Sequence, residues 1–401
     1  MNAAHIIFLK LMVGVLIGVP LAYLIDREGW LFFYTRMVGE TYLEESYLWS
    51  LYAISAMIVC YYVFGISRAL QKYQQKPTIA IRRKTAFRYW LFSIGFSMLT
   101  FFYVYAANGY SHPVISALSM NYAELARLRI AIRSNVNLNL YNIGLQIFSV
   151  LSIILSAISL KSLPLTLLSG SVFLLLATFS LEKSMVAECL IILLVFLSTF
   201  KKIALRDFVN LALLAVVLTT GMFVLTKSGD TPREIASGFL SRTAYGQVAA
   251  LPLHFSHFEN NRSNFLGLLP PYVQDLSGDV QPTPGRLIMQ EYVNPLGVDE
   301  ETVGVASTFF IGDAYAVFGT PGVIAAPFIA MLNFAMVVHL FSRLRKGILN
   351  LFVFSVAVFK LQFGLFGSIS TFIFSSVHIL ILMYIIFMFC EQRYSEAGVR
   401  A

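Results

Sequence analysis

Charged residues are scarce in this chain, and their scarcity indicates its class. Only 12% of the 401 residues are Asp, Glu, Lys or Arg, whereas soluble proteins carry about 25%. Hydrophobic residues make up 58%, including 35 Phe and 20 Tyr. This composition predicts helices solvated by lipid, with aromatic side chains at the membrane interfaces.

Cysteines are also few, and the familiar nucleotide- and metal-binding signatures are absent. Cys60, Cys189 and Cys390 lie far apart, in or at the end of apolar runs. We interpret them as small hydrophobic residues rather than disulfide partners or metal ligands. The sequence contains no P-loop, GxSxG, HExxH or dinucleotide-binding fingerprint, so we expect no cofactor, no metal and no use of ATP. The net charge of +8 does not indicate nucleic acid, because the basic residues lie in short segments between apolar runs.

The apolar runs predict an all-α, polytopic membrane protein with about ten transmembrane helices. The predicted spans are 6–25, 48–70, 89–107, 141–160, 164–181, 185–200, 208–226, 321–342, 348–366 and 369–390. The first run ends without a small-residue cleavage site, so we expect a retained span rather than a signal peptide. No second domain is apparent, and 1–401 is predicted to be a single membrane domain.

Basic residues predict the orientation of these spans. The segment 71–88 is rich in Lys and Arg and is therefore expected to be cytoplasmic. Alternation then places Lys161, the Lys201 cluster and the Arg343 cluster in the cytoplasm as well, together with both termini. Two enlarged extracytoplasmic loops result, at 108–140 and 227–319.

The first enlarged loop contains a helix-like stretch with three arginines. Arg129 and Arg133 are one helical turn apart and would project from the same face. Two guanidinium groups at that spacing suit the oxygens of a phosphate or pyrophosphate. Arg127 follows Glu124 by three residues and is expected to pair with it. The alternative, weighted equally, is an amphipathic helix on the membrane surface with its basic face toward lipid headgroups.

The long loop carries the residues best suited to surface chemistry. Arg242 and Tyr245 lie in the run 241–246, which is followed by His254 and His257. A histidine can accept a proton from a sugar hydroxyl near neutral pH. The spacing of the two histidines also suits zinc, but no further ligand spacing supports a metal. For each residue the alternative is an ordinary solvated loop side chain.

Three further ionisable residues lie at or within predicted spans. Lys183 falls in a short outer turn and is either a second phosphate contact or a snorkelling lysine. Lys360 and His378 lie inside the last two spans, where ionisable side chains usually face a bundle interior. Snorkelling for Lys360 and an interhelical hydrogen bond for His378 are the alternatives.

One stretch carries a family resemblance. The run Gly312-Asp-Ala-Tyr-Ala-Val-Phe-Gly319, followed by Pro321-Gly322, resembles the Gly-Glu-x-Tyr-x-x-Phe-Gly-x-x-Gly stretch of Wzy-type O-antigen and polysaccharide repeat-unit polymerases. Asp313 stands where the family usually has Glu. The turn Glu182-Lys183-Ser184 and the spacing of Arg133 and Gly144 are also similar to features of this family. The predicted topology resembles the family over most of the chain.

The resemblance implies a C-type glycosyltransferase architecture in the bacterial inner (plasma) membrane. The donor would be a glycan on undecaprenyl pyrophosphate, and the acceptor a lipid-linked repeat unit whose sugar hydroxyl attacks the anomeric carbon. Membrane lipids and a chain-length regulator are the other expected partners, with no nucleic acid. For this reaction His254 and His257 are the candidate general bases, with Asp313 and Glu259 as substitutes. The candidate substrate contacts are Arg127, Arg129, Arg133, Lys183, Arg242, Tyr245 and Lys360.

Three other functions fit the sequence. An O-antigen ligase would use the same donor class and differ only in its acceptor. A polysaccharide flippase or other transporter would often show internal repeats and discontinuous helices, and neither is evident. An envelope scaffold would have little need of Lys360 and His378 inside the membrane.

Overall fold

A computed structural model describes much of the chain as helix. The described residues are 40–114, 128, 131–132, 134–179, 181, 183–200, 213, 250–269, 271–279, 281–293, 308–365, 368–373, 384 and 388. Their helices are α1 (Glu40–Val63), α2 (Ile66–Gln75), α3 (Arg83–Ala107), α4 (Leu138–Leu160), α5 (Leu163–Phe179), α6 (Lys183–Phe200), α7 (Leu251–His257), α8 (Pro271–Ser277), α9 (Pro284–Ile288), α10 (Ile311–Phe318), α11 (Thr320–Arg343), α12 (Ile348–Leu365) and α13 (Ser370–Ile373). Within these residues the sole β pairing is an isolated bridge between Ile79 and Gly347. The predicted all-α class is confirmed for the described chain.

Four of the described helices are long and apolar enough to cross a membrane. They are α1 from Thr41, α3, α4 and α11. Shorter apolar helices occur at Leu163–Phe179, Glu188–Phe200 and Ile348–Leu361. The chain is accordingly a helical membrane protein. The predicted spans 6–25 and 208–226, and most of 369–390, lie outside the described residues, so the total of about ten stays a prediction.

The predicted bounds of the second span, 48–70, are wrong. Helix α1 begins at Glu40 and ends at Val63. Gly65 adopts φ +65°, a left-handed conformation that ends a helix, and α2 then starts at Ile66. Hydropathy alone did not reveal this break, because apolar residues continue on both sides of Gly65.

The helices cluster into two compact units. The first comprises mainly 76–236 and 345–356, and the second comprises 2–75, 237–344 and 357–401. Both contain helices apolar enough to cross a membrane. The prediction of a single membrane domain stays a prediction.

In the first unit, consecutive helices alternate in direction. The Asn137 amide, just before α4, donates to the Tyr103 hydroxyl near the end of α3. Further along, Gly144 of α4 packs so closely on Thr100 of α3 that a Cβ would not fit between them. The Trp90 indole at the start of α3 donates to Ser169 of α5 over 2.9 Å. This up-and-down order is the one that short connections between spans require.

In the second unit, α1 and α11 run parallel. The Tyr52 hydroxyl, midway along α1, donates to the Ile324 carbonyl near the start of α11. At the other end, the ring of His339 in α11 contacts the carbonyl oxygen of Phe64 over 2.8 Å. Basic residues lie at the C-terminal ends of both helices. Lys72 lies in α2, which follows α1, and Arg343 is the last residue of α11. Two parallel helices with basic residues at the same end are what the predicted alternation requires.

The orientation can be tested by cysteine accessibility. Asn261 and Arg83 are both exposed, whereas the native Cys60 and Cys189 are buried. In a background without native cysteines, a membrane-impermeant thiol reagent added from outside should label Asn261→Cys and not Arg83→Cys, because the 71–88 segment is predicted to be cytoplasmic. Labelling in the reverse order would refute the predicted orientation.

Candidate functional site

Helix α7, in the long loop, is packed rather than solvated. Helix α7 has Pro252 in its first turn, where proline needs no amide partner. Its Leu251, Leu253 and Phe255 side chains are almost completely buried. This burial corrects the alternative reading of His254 as a solvated loop residue, because His254 is 0% exposed.

The residues that carry the family resemblance lie in α10 and in the first turn of α11, and their glycines allow close approach. A Cβ on Gly312 would lie 2.5 Å from Thr308 Oγ1. A Cβ on Gly322, in the first turn of α11, would collide with the Ala314 carbonyl oxygen and lie 2.7 Å from Phe318 Cβ. The glycine positions of the motif therefore let α10 fold tightly against its neighbours.

The connection between α10 and α11 is fixed by Arg262. Its Nη1 donates to the Tyr315 carbonyl over 2.9 Å, and its guanidinium lies 4.5 Å from the centroid of the Tyr315 ring. The same ring packs on Phe255 at 4.4 Å between centroids. Gly319 has φ +66° and ψ −153°, a conformation essentially restricted to glycine. Arg262 therefore links the turn after α7 to the motif helix as a structural contact.

His254 and Asp313 form a buried pair between α7 and α10. His254 Nε2 lies 3.5 Å from Asp313 Oδ1, and Asp313 is 4% exposed. His254 Nδ1 lies 2.8 Å from the carbonyl oxygen of Ala250, which can only accept. Nδ1 therefore carries a hydrogen, and in a neutral ring Nε2 would present a lone pair to the carboxylate.

A carboxylate oxygen and an imidazole nitrogen enclosed together need a hydrogen-bonding partner, because a buried polar group without one is costly. Neither Nε2 of His254 nor Oδ1 of Asp313 has a conventional hydrogen-bond partner among the described residues. The contact attaches the helix of the long loop to the acid of the motif. With both side chains enclosed, the pair joins two elements of the protein and is closed to a substrate hydroxyl in this conformation.

His257 differs from His254 in exposure and in its partners. Its side chain is 19% exposed, and its Nδ1 lies 3.3 Å from Glu291 Oε2. The Tyr292 hydroxyl lies 3.4 Å from the same Nδ1. Burial, together with the neighbouring Glu291 carboxylate, raises the pKa of the Tyr292 phenol. The phenol is therefore protonated near neutral pH.

A second carboxylate, that of Glu259, lies two residues after His257 in the sequence. The Tyr42 hydroxyl, at the start of α1, donates to Glu259 Oε2 over 2.7 Å. Glu259 is exposed. The end of the second unit where α1 and α11 begin therefore carries half-buried aromatic rings beside exposed carboxylates, a combination suited to ligands with both hydroxyl groups and apolar faces.

Most of the residues predicted to contact substrate lie outside the part of the chain that the structure describes. Arg127, Arg129, Arg133, Arg242 and Tyr245 lie outside the described residues, as does His378. Lys183 begins α6, but its side chain is not among those described. The predicted convergence of these residues with His254 and His257 on one cavity thus stays a prediction.

Lys360 is the remaining predicted contact. It lies in α12, is half-buried, and places Nζ 5.5 Å from the centroid of the Phe359 ring. Contact with an aromatic face lowers the cost of a cation in an apolar helix. The contact with Phe359 is a packing contact.

One acid within an apolar helix, Glu188, was not predicted as a site residue. Glu188 of α6 is buried and accepts a hydrogen bond of 2.6 Å from Gln146 Nε2 in α4. Gln146 lies in a π-helical segment, Ile143–Ser149. A carboxylate within an apolar span was a readable signal, since such residues are rare and usually face a bundle interior.

Comparisons with protein-family models, with curated proteins and with solved structures found no match. The described residues contain no group of three or more His, Cys, Asp or Glu side chains that could hold a metal ion.

Proposed function

We propose that the protein polymerises oligosaccharide repeat units carried on undecaprenyl pyrophosphate, at the extracytoplasmic face of a bacterial inner membrane. The product would be an O-antigen or a related surface polysaccharide. In this reaction the oxygen of an acceptor sugar hydroxyl forms a bond to the anomeric carbon of the donor glycan. The bond from that carbon to the pyrophosphate breaks, and undecaprenyl pyrophosphate leaves.

The observation that carries the proposal is the packing of the motif helix α10. The motif's glycines lie where a Cβ would clash or where the backbone needs a glycine. Its acid, Asp313, meets a histidine of the long loop, and its tyrosine, Tyr315, is held by Arg262. The residues that resemble the polymerases thus each make a specific packing or polar contact. These contacts support the resemblance more strongly than a chance similarity of sequence would.

The location of the site also supports a lipid-linked substrate. The site adjoins the starts of two apolar helices, α1 and α11. A substrate with a polyprenyl tail must keep its tail in lipid while its charged headgroup and sugars react at the interface. The donor is already activated by its pyrophosphate, so the reaction needs neither ATP nor a metal if basic side chains stabilise the leaving group.

The decisive experiment is the glycan profile of a deletion strain, complemented by the wild-type gene. Loss of the long-chain ladder with single capped units retained would support a polymerase. Loss of all capping would instead indicate a ligase or a flippase and would overturn the proposal. An unchanged profile would overturn it as well.

The proposal predicts that Arg129 and Arg133 contact the pyrophosphate. Alanine at both positions should lower the polymerisation rate by about 10²–10³-fold, the usual effect of removing an electrostatic contact to a leaving group. Arg133→Lys should also lose much of the activity, because lysine lacks the planar two-pronged guanidinium. The measurement is polymer length in membranes with matched protein levels, with exposed Arg88→Lys as the control. Normal polymer from a properly inserted double variant would rule out this role.

A further inference from the structure

The two histidines of α7 differ in whether a ring nitrogen can reach a ligand. Both ring nitrogens of His254 face protein groups inside the core. Among the described residues, His257, at the end of α7, makes its polar contacts through Nδ1 alone. Its Nε2 is therefore the nitrogen available to an incoming group.

Glu291 determines the protonation pattern of the His257 ring. The Glu291 side chain is 58% exposed and its carboxylate can only accept while ionised. A lone pair on Nδ1 at 3.3 Å from that carboxylate would place two acceptors together, so Nδ1 carries the hydrogen. The lone pair of the neutral ring then lies on Nε2, as in catalytic histidines oriented by a carboxylate.

Tyr292 fixes the ring from the side. Its hydroxyl lies 3.4 Å from His257 Nδ1, and the two rings meet edge-to-face at 5.7 Å between centroids. Phe258 contacts the His257 ring in the same edge-to-face manner at 4.6 Å. Two aromatic contacts and one carboxylate hold the imidazole in a defined orientation before any substrate arrives, which is the preorganisation that proton transfer requires.

We propose that His257 Nε2 is the general base that takes the proton from the acceptor sugar hydroxyl, and that Glu291 and Tyr292 are its positioning residues. This inference rests on the proposed polymerase function. The hydroxyl proton passes to Nε2 as the oxygen bonds to the anomeric carbon, the electron pair of the broken bond leaves with undecaprenyl pyrophosphate, and the imidazolium later returns its proton to water. His254 and Asp313 support this site by fixing α7 against the motif helix.

The experiment uses the purified full-length protein in lipid vesicles with a synthetic undecaprenyl-pyrophosphate-linked repeat unit. His257→Ala should lower kcat by about 10²–10⁴-fold, and added imidazole should restore part of that rate because the site is partly exposed. Glu291→Gln should lower kcat by about 10–100-fold, as for other partners that orient a functional imidazole, with KM little changed. Glu44→Gln, another exposed acid, is the control and should keep the wild-type rate.

Each outcome decides the matter. If wild-type protein forms no polymer from the lipid-linked unit, the proposed function fails and this inference fails with it. If the wild type polymerises but His257→Ala keeps its rate, or loses it without any rescue by imidazole, the base assignment alone is overturned. If Glu291→Gln behaves like Glu44→Gln, Glu291 has no positioning role.

Discussion

Replacing Asp313 by alanine should lower the free energy of unfolding by about 1–3 kcal/mol, the usual cost of leaving a buried polar group without its partner. The loss arises because His254 is 0% exposed, and its Nε2 would be left facing a cavity with no partner. Unfolding of the purified protein in mixed micelles would measure the change. Asp275→Ala removes an exposed carboxylate from α8 and should change stability by less than about 0.5 kcal/mol.

A double-mutant cycle separates the pair from general damage to the core. Leucine at both His254 and Asp313 should recover much of the stability lost by either single variant, because it removes both buried polar groups together. Strictly additive effects of the two single changes would contradict a direct interaction between them. Loss of activity in the stable double variant would show that the pair also positions the site.

Gly322→Ala should destabilise the corner between α10 and α11 by about 1–3 kcal/mol, the typical cost of overpacking. The added Cβ would collide with a backbone oxygen, that of Ala314, which cannot rotate away as a side chain can. Because the motif helix ends at this corner, polymer formation should fall as well. The measurements are the unfolding free energy and the polymer yield of the same protein preparations.

The matched control for this change is Gly170→Ala. Gly170 lies inside α5, and a Cβ there would meet nothing within 4 Å. Alanine should therefore stabilise the protein by about 0.5–1 kcal/mol through its greater helix propensity. Equal effects of the two glycine substitutions would mean that the close approach at Gly322 has no energetic significance.

Hydropathy predicted the described membrane helices well, because an apolar helical span needs a fixed length of lipid-compatible sequence. The predicted spans 89–107 and 141–160 correspond to Arg83–Ala107 and Leu138–Leu160. The second span was misplaced, since the break at Gly65 depends on a backbone conformation rather than on apolarity. Helix ends of this kind are set by local dihedral angles, which the hydropathy of the neighbouring residues does not report.

The candidate site was predicted in its residue types and not in its arrangement. The sequence singled out His254 and His257 because their chemistry suits proton transfer, and Asp313 because it lies in the stretch that resembles the polymerases. It assigned the two histidines the same role. Glu291 and Tyr292 were not predicted as site residues, because an acid and a tyrosine in a polar loop have no distinguishing sequence pattern. Their importance arises from contact with His257, which only the folded chain brings about.

The amino-acid sequence by itself determined that this is a helical membrane protein, since the free energy of placing residues in lipid depends on their composition and spacing alone. It also determined which side chains are able to exchange protons. The tertiary structure decided that His254 is enclosed with Asp313, while His257 stays partly exposed beside Glu291. Burial and pairing depend on neighbours from distant segments, here Met289–Val293 and α10. No property of residues 254 and 257 alone distinguishes the two histidines.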